Sequence, residues 1–81
     1  MKVGIDYSWW VSYSWEYEYF DGEEENWLKY EDFDSRRFCC LKKDIKKTVT
    51  EHIKEYELQC QEYRNLKVHI QDFYMTTTED V

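Results

Sequence analysis

The sequence predicts an α+β domain, an antiparallel sheet of three or four strands with one long helix packed across a face. Every odd position from Val3 to Tyr19 is apolar or aromatic, a period of two that puts these side chains on one face of a strand. Leu41, Ile45, Val49, Ile53, Tyr56, Cys60 and Tyr63 recur at spacings of three and four, the stripe of an amphipathic helix. Leu66, Val68 and Ile70 alternate once more near the end of the chain. A long N-terminal hairpin, a helix and a C-terminal strand follow from these patterns.

The first strand spans residues 3 to 20, against a usual length of about 5 or 6 residues, so a bend or bulge is expected near Ser12 to Ser14. Asp21-Gly22 is a hairpin-turn signal, and repulsion within Glu23-Glu24-Glu25 extends the loop toward Asn26. The return strand runs from Trp27 to about Phe33. Asp34 and Ser35 are cap or turn residues, which leaves 36 to 43 open between strand and helix. The helix begins by Asp44, with Thr48-Val49-Thr50-Glu51 as a competing capping box. Asn65 is a candidate left-handed stop for it. In the last strand the apolar parity shifts from Ile70 to Phe73 and Met75, which predicts a bulge near Asp72, and Thr76 to Val81 should fray.

An 81-residue chain holds one domain, taken as residues 1 to 81. So short a chain is marginal unless it packs well, and four Trp, eight Tyr and four Phe supply large buried areas per residue ordered. With no Pro and two Gly, no linker is expected. Cys39, Cys40 and Cys60 leave an odd thiol whatever pairs, and adjacent cysteines pair only with strain. That pattern reads as a reducing compartment, and with neither a signal-peptide pattern nor a long apolar run a cytoplasmic protein is expected, with no membrane partner.

Net charge is −7, unevenly spread. Residues 16 to 34 hold nine carboxylates (Glu16, Glu18, Asp21, Glu23, Glu24, Glu25, Glu31, Asp32, Asp34) against Lys29, whereas 35 to 47 carry Arg36, Arg37, Lys42, Lys43, Lys46 and Lys47 against Asp44. A negative chain meets a penalty on phosphate backbones, so direct nucleic-acid binding is disfavoured and a basic protein surface is the expected partner. Glu16 and Glu18 share a strand face about 6.7 Å apart, from a rise of roughly 3.3 Å per residue, a spacing on the scale of successive phosphates. The same carboxylates are equally the charges that a sheet needs to block edge aggregation. Trp10 and Phe20 lie opposite the main stripe, where they serve either a partner or self-association.

Soft metal ligands are limited to Cys39, Cys40, Cys60, His52 and His69, none in a paired zinc spacing, so no metal or cofactor is expected. The carboxylates do not follow a calcium-loop pattern. No nucleophile and base share a local signature, so the protein is read as a non-enzyme. The basic cluster is expected to match the acidic segment within the molecule or between subunits.

The stretch Glu16-Tyr17-Glu18-Tyr19-Phe20-Asp21-Gly22-Glu23-Glu24-Glu25 resembles, in composition and layout, the small acidic inhibitors encoded by phages and other mobile elements, including anti-CRISPR proteins and other DNA mimics. The resemblance implies a non-enzymatic inhibitor, acting in the host cytoplasm if phage-encoded, that occupies the basic surface of a nucleic-acid-handling protein. Glu16, Glu18, Asp21, Glu23, Glu24, Glu25, Glu31 and Asp32 would then make charged contacts, with Trp10 and Phe20 as anchors. The alternative is a structural or regulatory homo-oligomer, possible already as a homodimer, in which the long first strand is the assembling edge.

Overall fold

A computed structural model describes residues 8–59 and 61–76. Three antiparallel strands, β1 (Ser8–Asp21), β2 (Asn26–Cys39) and β3 (Tyr63–Thr76), form one sheet in the order β2-β1-β3. A 3-10 turn at Lys42–Asp44 leads into the helix α1 (Ile45–Tyr56), which packs on one face. The α+β class and the single helix across a sheet are as the sequence predicts. The assembly is elongated, 56 × 23 × 22 Å.

The alternating stripe becomes the floor of the core. Trp9, Val11, Tyr13, Trp15 and Tyr17 are buried on the helix side, joined by Phe38 of β2 and Val68 of β3. From above, α1 contributes Ile45, Val49 and Ile53, and Leu58 closes the end. Aromatic rings fill the width that a short chain cannot fill with numbers: Tyr13 stacks on Trp15 with centroids 5.6 Å apart and meets Phe38 edge-on at 5.8 Å. The Trp9 indole N–H donates to the Cys40 carbonyl at 2.9 Å, tying the chain where it leaves β2.

The elements differ from expectation in instructive places. Strand β1 is continuous and unbroken at Ser12 to Ser14, because the irregularity at that level sits in its neighbour: Ser12 pairs with Asp72 and Tyr13 with Ile70, leaving Gln71 as the extra residue of β3. This is the bulge expected near Asp72. A second register shift lies between Glu16 and Glu18, where Asn65 takes a positive φ of 57°. Asn65 therefore uses its left-handed tolerance inside β3 and not as the helix stop. Residues 3 to 7 of the first stripe and 77 to 81 of the expected frayed end lie outside the described residues, while Thr76 is still in β3.

Strand β2 runs to Cys39, past the expected end at Phe33, and 36 to 39 are strand. Asp34 and Ser35 do not turn the chain because each has a full partner on β1, Tyr13 and Ser12. The helix is shorter than its stripe. Leu41 precedes it and is exposed, Tyr56 at its end is exposed, and only the spacing of four through Ile45, Val49 and Ile53 points into the core. Thr48 and Glu51 lie inside α1, so their capping box does not start it. Because β1 is central, paired on both sides, it is not a free edge through which copies could assemble. The exposed edges belong to β2 and β3.

Candidate functional site

Register decides where the acidic side chains go. On the sheet face away from α1, β1 presents Trp10, Ser12, Ser14, Glu16, Glu18 and Phe20. Directly opposite residues share a face, so β2 adds Arg37, Ser35, Phe33, Glu31, Lys29 and Trp27. From β3 come Tyr74, Asp72, His69, Lys67 and Arg64. The result is an open face whose Trp10 end mixes aromatic and short side chains with Arg37 and Asp72, and whose part from Glu16 to Glu18 is ionic before the Phe20–Trp27 pair.

The ionic part is internally matched. Lys29 lies 3.7 Å from Glu16 and 3.6 Å from Glu31, and Lys67 reaches Glu16 at 4.0 Å. Arg64 donates through Nε to Glu18 at 2.7 Å, and the Asn65 amide donates to the same carboxylate oxygen at 3.0 Å. The hydrogen bonds from Arg64 and then Asn65 hold the Glu18 carboxyl below its ordinary pKa. The neutralising cations are thus Lys29, Arg64 and Lys67. Of the expected basic cluster at 36 to 47, only Arg36 forms an ion pair among the described residues, with Asp34 at 3.5 Å.

Asp32 points to the other face, opposite Trp15, where the Tyr30 hydroxyl donates to it at 2.9 Å. That hydrogen bond is the first reason the Tyr30 phenol is raised above its usual pKa. The structure therefore brings Glu16, Glu18 and Glu31 together on one face and separates Asp32 from them.

The hairpin tip is different. Asp21, Glu23, Glu24 and Glu25 crowd the turn, with none in an ion pair among the described residues. Asp21 accepts the Glu23 N–H at 2.9 Å, and Glu25, at φ 52°, takes the left-handed position that closes the loop. Phe20 packs edge-on against Trp27 at 5.5 Å, and the Arg64 guanidinium lies 4.1 Å from the Trp27 ring centroid. The tip thus combines uncompensated carboxylates with a braced aromatic pair.

Trp10 and Phe20 are exposed on the open face as their parity requires. The sequence reading missed Phe33, Tyr74, Trp27, Arg64 and Lys67 as members of this surface. Extending the alternation of β2 beyond Phe33 would have shown Phe33 level with Ser14.

Among the described residues no three His, Cys, Asp or Glu side chains gather as a metal site, and no helix is long and apolar enough to cross a membrane. Cys39 and Cys40 are free thiols. His52 lies between Phe38 and Tyr56, ring centroids 5.4 and 4.7 Å away, and burial first, then Arg36, lowers its pKa. Burial likewise raises the phenols of Tyr13 and Tyr17.

Fold and surfaces together define a small two-layer α+β domain with one sheet face left open and an anionic hairpin tip. No family model, curated protein or solved structure matches the chain.

Proposed function

We propose that this protein is a non-enzymatic acidic binding protein that inhibits a basic, nucleic-acid-handling protein by seating its hairpin tip on that partner's cationic surface. One observation carries the reading: Asp21, Glu23, Glu24 and Glu25 are exposed or half-exposed at the end of the sheet with no cation of their own within ion-pair distance among the described residues. Uncompensated carboxylates concentrate negative potential, steer association and favour a partner that supplies the missing cations. Phe20, exposed beside them, is the apolar anchor.

The contact set narrows accordingly. Glu16, Glu18 and Glu31 already satisfy Lys29, Lys67 and Arg64, so exchanging those partners gains little. Asp32 faces away. The likeness to DNA-mimicking inhibitors rests on the tip alone, and action is steric and electrostatic occupation.

The test is a pull-down from the native host with the wild-type chain and with the triple variant Glu23→Lys, Glu24→Lys, Glu25→Lys, each repeated at raised salt. Capture of a basic nucleic-acid-binding protein that is lost in the variant and weakened by salt supports the proposal. Equal capture by both proteins, insensitive to salt, would end it.

A further inference from the structure

We infer that the open sheet face is a self-complementary interface through which two copies of this chain pair face to face, a use of the molecule separate from its acidic tip. Phe33 stands in the middle of β2, level with Ser14 of β1, and is 78% exposed. Pairing would take this exposed apolar area out of water. Its neighbours are short. Ser12 and Ser35 hydrogen-bond to each other at 2.9 Å, and Ser14 accepts from the Gln71 amide at 2.8 Å, so this part of the face is low and flat. Beside the ring, which forms one wall, lies a depression of about 310 Å³ lined also by Ser14, Trp15, Glu16, Glu31, Asp32 and His69.

A projection and a hollow side by side on one face are what a two-fold interface uses: each Phe33 enters the other copy's hollow while its own receives the partner's. Trp10 and Tyr74, paired across the strands and 37% and 56% exposed, extend the apolar contact away from the tip. The ion pairs of Lys29 with Glu16 and Glu31 form a polar rim on the other side.

Charge selects the occupant. The chain carries −7, so two copies repel at almost any approach. On the open face Glu16, Glu18, Glu31 and Asp72 are balanced by Lys29, Arg37, Arg64 and Lys67, four against four, so this face adds no repulsion of its own. Size is adequate too. Strands of 14 residues in a three-strand sheet span a face of about 46 by 14 Å, roughly 650 Å², which approaches the roughly 800 Å² per partner of a standard interface.

Sedimentation equilibrium of the full chain between about 1 and 100 μM tests the pairing, with Phe33→Asp, Ser14→Trp and Glu24→Lys alongside. The expected result is a mass near twice 10.2 kDa for wild type. Removing the projection or filling the hollow should weaken association at least about tenfold, the behaviour of a central aromatic anchor. Both side chains lie on the open face and outside the buried core, so far-UV circular dichroism should keep the wild-type form, and Glu24→Lys should pair like wild type. A wild-type mass of 10.2 kDa across the whole range overturns the inference. So does a Phe33→Asp or Ser14→Trp protein that pairs as tightly as wild type, because a dimer built on another surface would not respond to either change. Failure here leaves the tip untouched, since the pull-down with the Glu23→Lys, Glu24→Lys, Glu25→Lys variant reports on it separately.

Discussion

The Asp34 carboxylate accepts the main-chain N–H of Ser35, its own neighbour in sequence, at 2.8 Å. Asp32 does the same for Phe33 at 2.8 Å, Asn26 for Trp27 at 2.8 Å, and on the opposite edge Asp72 for Phe73 at 2.9 Å. Strands β2 and β3 are both edges, and an edge leaves alternate N–H groups without a strand partner, a template for another chain. The capped groups on β2 lie at that alternate spacing. Part of the carboxylate excess is therefore spent on the sheet's own edges.

If this sealing matters, a double Asp32→Leu, Asp34→Leu variant should aggregate on concentration or mild heating, whereas Asp32→Asn, Asp34→Asn keeps an acceptor at each site and should stay dispersed. Light scattering against concentration reads the difference. Equal aggregation of both variants would show that charge alone, and not the hydrogen bond to the neighbouring N–H, protects the edge, and two dispersed variants would show that neither does.

The core stripe makes a second prediction, because two residues that look alike in sequence differ in the fold. Ile53 has no exposed surface, whereas Leu41 is 46% exposed. Ile53→Ala should destabilise by about 2–5 kcal/mol, enough to leave a domain of this size largely unfolded or to lower its Tm by roughly 10 °C or more. Leu41→Ala should stay within about 0.5 kcal/mol of wild type. Urea melts of the two variants decide it, and equal losses would mean that Leu41 is packed.

His52 gives the pH dependence. Burial lowers its pKa below the usual imidazole value of 6.5, so over the window beneath 6.5 the unfolded chain binds a proton that the folded chain refuses. Stability therefore rises with pH through that window and falls as the solution is acidified from pH 7 toward 5. Replacing His52 with Phe, which keeps the contacts to Phe38 and Tyr56 but cannot ionise, should flatten this slope. A Tm profile of His52→Phe as steep as that of wild type assigns the dependence to the carboxylates.

The adjacent thiols should also differ. Cys39 is exposed and Cys40 half-buried, its carbonyl held by Trp9, so an alkylating reagent should modify Cys39 well before Cys40. Peptide mass spectrometry after brief iodoacetamide treatment follows both sites. Equal rates would place Cys40 on the surface.

Much of the fold was legible because some of the patterns are long. Alternation from Trp9 to Tyr17 determines which face of β1 is buried, and the parity shift between Ile70 and Phe73 reveals the bulge at Gln71. The length of β2 was hidden because Asp34-Ser35 has turn chemistry, and only pairing with Tyr13 and Ser12 overrides it. The surface was less legible than the fold. Parity puts Glu16 and Glu18 on one side, but Arg64 and Asn65, which hold Glu18, are 46 and 47 residues away in sequence. Asp32 could be assigned a side only once its partner was known to be Trp15.

Strand and helix lengths are mismatched in this molecule. Twelve residues of α1 reach about 18 Å, whereas fourteen residues of β1 reach about 46 Å; Tyr19 still packs half-buried against the core, and Phe20 and Asp21 lie beyond it. The sheet thus has a clamped root and, beyond Phe20, a two-stranded tip outside the core, so stiffness should decline toward the turn. Backbone amides near Trp15 should exchange with deuterium only on global opening, while those approaching Gly22 exchange through local fraying. Opening that begins at the acidic end would then leave the packed end closed.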